Sequence, residues 1–250
     1  MNEFEGLGLN ENLAKAVNDL GFTTPTPIQE KAIPILLAWT TDFVGLAQTG
    51  TGKTAAFGLP LLQLANPSHK YPQALIVCPT RELCLQICND IQDYKKYSNN
   101  IIAEPVYGGA SIVMQIRALK KGVHIVVATP GRLIDMIERK AIDLEKVKYV
   151  VLDEADEMLN MGFREDIDFV LKNTVNREST WLFSATMPPE VKAISKNFMH
   201  HPQEITVGKK NTANVNIDHQ YFITPAHSRF ETLKRLVDFN PGMYGIIFAR

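Results

Sequence analysis

Eight consecutive residues, Ala47-Gln48-Thr49-Gly50-Thr51-Gly52-Lys53-Thr54, carry the clearest chemistry in this sequence. An apolar run beginning at Phe43 leads into them, and a helix-forming stretch follows. In such a loop the glycines let backbone N–H groups converge on phosphate oxygens. Lys53 can reach the β and γ phosphates, and the Thr54 hydroxyl can ligate magnesium. Ala47 stands where the usual first glycine would be, a small change that a close backbone can absorb. A second apolar run, Val150-Val151-Leu152, ends in Asp153 and Glu154. Asp153 is suited to hold a metal ion, usually through water, and Glu154 to orient and deprotonate an attacking water. An acidic pair after a strand is by itself more often a helix cap or a solvated turn. The phosphate loop is what gives it a catalytic reading.

Asp153-Glu154-Ala155-Asp156 spells the motif that names the DEAD-box family, and the chain resembles the family's ATP-dependent RNA helicases in the order of its other motifs. Gly21-Phe22-Thr23-Thr24-Pro25-Thr26-Pro27-Ile28-Gln29 resembles the family's Q motif, which reads adenine. The resemblance implies nucleotide binding by Phe22, Thr24, Pro27 and Gln29 together with Thr49, Gly50, Thr51, Gly52, Lys53 and Thr54. An amide such as that of Gln29 can donate to and accept from an adenine edge, and Phe22 offers a stacking face. Phe4 resembles the family's isolated upstream aromatic. Pro79-Thr80-Arg81, Gly108-Gly109 and Thr129-Pro130-Gly131-Arg132 resemble the RNA-contacting motifs. Their residue types suit phosphate oxygens and read no bases. Ser184-Ala185-Thr186 resembles the motif that couples nucleotide state to unwinding, with Ser184 and Thr186 hydrogen-bonding to Asp156 or its neighbours.

Gly245-Ile246-Ile247-Phe248-Ala249-Arg250 resembles the start of the second lobe's first motif. The family's later motifs, including an arginine pair that reaches the γ phosphate, have no counterpart before Arg250. The chain is therefore expected to be a piece of a longer helicase that binds ATP or ADP with Mg²⁺ but is not helicase-competent alone. Two other readings stay open: a nucleotide-dependent clamp or docking module with incidental hydrolysis, and a DNA helicase of the wider superfamily. RNA-stimulated turnover and dependence on the 2′-hydroxyl separate them.

The elements that must position these residues are legible in the hydrophobic pattern. Short apolar runs (FVGLA, ALIVC, IIAEPV, HIVVA, YVVLD, WLFSA) alternate with amphipathic stretches, which predicts an α/β fold: a RecA-like parallel sheet with helices on both faces. A helix is expected over residues 10 to 20. The expected domains are 1–208, a linker at 209–216, and the start of a second RecA-like domain at 217–250. In the last, HQYFI and GIIFA read as strands and SRFETLKRLVDF as a helix. Lys plus Arg (26) balance Asp plus Glu (27), so RNA binding must come from local sites. No apolar run is long enough for a membrane span. The three cysteines, Cys78, Cys84 and Cys88, fit reduced, packed thiols. With no export signal at the N-terminus, a cytoplasmic protein is expected.

Overall fold

The computed structural model describes residues 3–38, 41–98, 100–208, 218 and 220–248. The chain divides into two compact units, Met1–Asn211 and Thr212–Arg250.

Among the described residues of the first unit there are seven strands: β1 (Phe43–Leu46), β2 (Ala74–Val77), β3 (Ala103–Val106), β4 (Ile125–Ala128), β5 (Tyr149–Leu152), β6 (Ser179–Ser184) and β7 (Gln203–Thr206). They form one sheet in the order β3-β4-β2-β5-β6-β1-β7, and every pairing is parallel. Parallel pairing brings all the strands' C-terminal ends to one edge, where ligands bind in open sheets. The inner strands β1, β2, β4 and β6 are buried throughout, which explains their continuous apolar runs. The edges differ. Pro105 sits in edge strand β3, where a missing N–H is tolerated, and edge strand β7 carries Glu204.

Helices α1 (Glu11–Asp19), α2 (Pro27–Ala38), α3 (Lys53–Leu64) and α4 (Arg81–Tyr94) contribute to one core with Ile76, Cys78, Val127, Val151 and Trp181 of the sheet region. Helices α5 (Ile112–Lys120), α6 (Pro130–Glu138), α7 (Ala155–Asn160), α8 (Arg164–Asn173) and α9 (Pro189–Phe198) contribute to a second, with Leu75, Val77, Val126, Val150 and Leu182. Successive strand residues thus serve opposite faces, as the two-residue period requires. The expected helix over 10–20 is α1, started by Asn10, whose side chain accepts from the Leu13 N–H. Phe43, Phe57 and Phe183 meet at centroid distances of 5.5 and 5.2 Å beneath the phosphate loop's helix. Phe4 and all three cysteines are buried. At the opposite end of β1, Asp42 accepts from the Thr180 N–H at 2.6 Å and from the His200 N–H, joining β1, β6 and the approach to β7.

Among its described residues, the second unit holds a 3-10 turn (Ala226–Ser228) and one helix, α10 (Arg229–Phe239). The Thr232 hydroxyl donates to the Ser228 carbonyl, and it shares a 3.0 Å hydrogen bond with Thr224. The strands expected from HQYFI and GIIFA are not there: among the described residues, 220–225 and 243–248 form no strand. An apolar segment becomes a strand only when a ladder partner satisfies its backbone, and these two do not pair with each other. The expected linker, 209–216, lies outside the described residues, as do Ile217, His219, Ala249 and Arg250.

Candidate nucleotide cleft and phosphate-facing cleft

The loop after β1 turns through Gly50 and Gly52, both at positive φ, and delivers Lys53 as the first residue of α3. At Gly52 a side chain would be strained: φ is +89°, and a Cβ would lie 2.4 Å from Gln29 Nε2, which would have to shift. That closeness serves a purpose, because Gln29 Nε2 donates to the Gly52 carbonyl at 3.1 Å, and Gln29 Oε1 accepts from the Thr26 N–H at 2.9 Å. Gln29 thus ties the start of α2 to the phosphate loop, and its amide still has one N–H and one lone pair to offer. Nearby, the buried Thr26 hydroxyl has no hydrogen-bond partner among the described residues. Lys53 is buried, with Nζ donating to the Ala47 carbonyl at 3.0 Å.

A cleft of about 390 Å³ collects Phe22, Gln29, Thr49, Gly50, Gly52, Lys53, Thr54, Asp153 and Glu154. Three residues grouped with them by sequence do not line it. Thr24 is exposed, Pro27 is the first residue of α2, and the Thr51 hydroxyl donates to the Gln48 carbonyl at 2.7 Å. Four residues of α4 complete the wall: Leu83, Gln86, Asp90 and Tyr94. The last three went unseen in the sequence: their spacing along a helix that starts at Arg81 shows that they share a face, but not that this face meets the cleft.

Asp153 is 2% exposed and accepts from the Glu154 N–H at 3.0 Å. Burial raises its pKa to about 7; the Lys53 ammonium pulls the other way, and Glu154 adds to the rise. A buried carboxylate that so resists its charge, sharing a cleft with the Thr54 hydroxyl, is an oxygen donor set that fits a hard divalent cation. Glu154 adopts the left-handed conformation, φ 52° and ψ 48°, which costs a non-glycine residue about 1–3 kcal/mol. This turn lets α7 start directly after β5. One residue on, Asp156 Oδ2 accepts from the Thr186 N–H at 2.9 Å and from the Thr186 hydroxyl at 2.7 Å, while the Ser184 hydroxyl accepts from the Asp156 N–H at 3.3 Å. Burial works to raise the Asp156 pKa, but the hydrogen bonds from Thr186 and Ser184 outweigh it and leave it lowered.

A second cleft, of about 480 Å³, is lined by Pro79, Arg81, Gly108, Thr129, Gly131 and Arg132, with Asp135 and Phe163, which the sequence did not single out. Thr80, Gly109 and Pro130 stand behind it. The Thr80 hydroxyl caps α4 by accepting from the Leu83 N–H at 3.2 Å, and Pro130 is buried at the start of α6. Gly109 has φ +82°, and a Cβ there would crowd Arg81 Nη1 at 3.2 Å. Arg81 lies over the Tyr107 ring, 5.1 Å from its centroid. Arg132 is largely committed: its Nη1 donates to the Ala110 carbonyl at 3.1 Å and to Gln115 Oε1 at 3.0 Å.

Comparison with known proteins agrees with this architecture. The DEAD/DEAH box helicase family model matches residues 26–194. The chain is 44% identical over 247 residues to the ATP-dependent RNA helicase DeaD of Haemophilus influenzae, covering 99% of this chain and 40% of that protein. It is also 44% identical over 247 residues to the DEAD-box ATP-dependent RNA helicase CshA of Bacillus subtilis, covering 99% and 50% respectively. The chain thus spans half or less of the length of these relatives. The crystal structure of a DEAD box protein from Methanococcus jannaschii superposes with a TM-score of 0.78 at 41% identity, covering 99% of this chain and 66% of that one. A parallel sheet of this topology, with the phosphate loop, the Asp153–Asp156 turn and the Thr129–Arg132 turn on one edge, and a family match over more than half its length place the chain in the DEAD/DEAH box helicase family.

Proposed function

We propose that the first unit is the N-terminal, ATP-binding lobe of an ATP-dependent RNA helicase that acts in the cytoplasm, and that residues 217–250 begin a second RecA-like lobe. The observation that carries this reading is the single cleft in which Lys53, Thr54, Asp153, Glu154, Gln29 and Phe22 converge. Lys53 meets the β and γ phosphates of ATP, the N–H groups at the start of α3 cradle them, and Gln29 and Phe22 receive adenine. Thr54 and Asp153 would hold Mg²⁺, which supplies charge neutralisation between the phosphates when bound. Glu154 orients the attacking water and takes its proton. Asp156 links this turn to Ser184 and Thr186 and so carries the nucleotide's state toward the sheet's other strand ends.

RNA is held by its backbone in the second cleft, independently of sequence, with Arg81 as its most available cation. Among the described residues, Lys53 is the one cation lining the nucleotide cleft, against Asp90, Asp153 and Glu154. Charge growing on the γ phosphate is therefore incompletely met, and this chain alone binds ATP or ADP but hydrolyses ATP slowly, with little response to RNA. ATPase activity measured with and without RNA, for this chain and for a two-lobed protein, tests the reading. RNA-stimulated turnover confined to the two-lobed protein is expected; full turnover by this chain would contradict it. No helix among the described residues is long and apolar enough to cross a membrane.

A further inference from the structure

Helix α4 gives the nucleotide cleft a face that the phosphate loop, the Q motif and the acidic turn leave unexplained. Leu83, Gln86, Asp90 and Tyr94 are spaced by three, four and four residues, which puts them on one side of the helix, and all four line the cleft. The two ends of α4 stand at different parts of a bound nucleotide. Leu83 follows the end of β2, whose neighbour β5 leads into Asp153, so this end lies toward the phosphates. Tyr94 lies beside Phe22, with ring centroids 6.4 Å apart, so the other end lies toward the base. At a rise of about 1.5 Å per residue, Asp90 lies about 6 Å along the axis from Tyr94 and about 10 Å from Leu83. In a nucleotide, the part between base and phosphates is the sugar.

The chemistry of Asp90 fits that position. Its carboxylate is half-buried, and among the described residues no hydrogen-bond donor or cation is paired with it. Burial, with Asp93 adding to it, raises its pKa, which marks a carboxylate short of donors. Unlike Asp153 and Glu154, which would serve a metal ion and a water, Asp90 has no such role, so in a cleft built for an anion it is best accommodated away from the phosphates; a half-desolvated acceptor gains most from a donor brought by the ligand. The exposed Gln86 lies one turn nearer the phosphates and adds a second polar group on the same face of the helix. We propose that Asp90 accepts hydrogen bonds from the ribose hydroxyls of the bound nucleotide, making α4 a sugar-reading wall of the cleft. This rests on the adenine-nucleotide reading of the same cleft.

The test is a binding cycle, measured by calorimetry on the whole chain, with ADP, 2′-deoxy-ADP, 3′-deoxy-ADP and inosine diphosphate, whose base carries a carbonyl in place of the adenine amine. Wild type should lose about tenfold in affinity on removal of at least one sugar hydroxyl, the scale of a hydrogen bond to a charged group. Asp90→Ala should bind the ribose and deoxyribose forms equally, while keeping the wild-type preference for ADP over inosine diphosphate. Equal binding of all three sugar forms by wild type would overturn the proposal, whatever the fate of the variant. A deoxy penalty that persists in Asp90→Ala would do the same, and so would loss of the inosine preference instead, which would place Asp90 at the base amine. Failure of wild type to bind any of these ligands is a separate result, because it removes the adenine-nucleotide reading itself.

Discussion

The two clefts lie on the same edge of one sheet but are built differently. In the nucleotide cleft the chemical groups are sunk into the core: Gln29 is 4% exposed, Lys53 7% and Asp153 2%. Each is held by a partner before any ligand arrives, at Thr26 and Gly52, at Ala47 and at the Glu154 N–H. The second cleft is shallower, and its cations are surface groups: Arg81 is exposed on a tyrosine ring, and Arg132 braces the turn after Gly109. The contrast teaches that a small ligand of fixed shape can be met by buried, preorganised groups. A polymer backbone must be met by an open face whose contacts are individually weak.

If burial is what tunes the nucleotide cleft, its largest signature is an apo protein held back by its own acid. A carboxylate whose folded pKa is raised loses stability as pH climbs from the ordinary value of 3.8 toward about 7, and stays penalised above. Asp153→Asn should therefore stabilise the ligand-free protein by roughly 4 kcal/mol at pH 8 and by less than about 1 kcal/mol at pH 4. It should also abolish the magnesium dependence of ATP binding. Chemical denaturation at the two pH values checks the first part; equal stability of variant and wild type at pH 8 would mean that Asp153 is better solvated than its burial implies.

A smaller effect is expected at the link between Asp156 and Thr186. Asp156 has a lowered pKa, so its hydrogen bonds contribute stability above the ordinary carboxylate value of 3.8, and that contribution is lost as pH falls below it. Thr186→Ala removes the 2.7 Å hydroxyl bond and leaves the backbone one, and should cost about 1 kcal/mol at pH 7, with the difference disappearing in acid. A cost that persists unchanged at low pH would point to packing instead of the carboxylate. The smallest effect is expected in the open cleft. Arg81→Ala should weaken RNA binding about equally for all sequences and reduce the slope of log affinity against log salt by about 1. Arg132→Ala should act on the ordering of the Gly108–Ala110 turn, because its Nη1 is already engaged there.

The phosphate loop, the strands and the acidic turn were legible in the sequence because each depends on local chemistry: glycines at positive φ, apolar runs buried on both faces, turn formers at their ends. Parallel topology then brings the motifs that follow strands β1 to β6 to one edge of the sheet. Gln86, Asp90 and Tyr94 were not legible as lining residues. Which side of α4 meets the cleft is set by sheet order and by the packing of α3 against α4, neither of which has a local signal. The engagement of Arg132 within the protein was hidden for a related reason, since its partners Ala110 and Gln115 are 22 and 17 residues away. HQYFI and GIIFA have the composition of strands, but a strand is a property of two segments, and composition reports on one.

The central claim is that Lys53, Gln29 and Phe22 form one adenine-nucleotide site. Titration of wild type and Lys53→Ala with ADP, ATP and GDP tests it most directly. Wild type should prefer ADP to GDP, because a guanine carbonyl would face the Gln29 amide with altered polarity, and Lys53→Ala should bind ATP at least about tenfold more weakly. Unchanged ATP affinity in Lys53→Ala, or equal affinity of wild type for ADP and GDP, would contradict it.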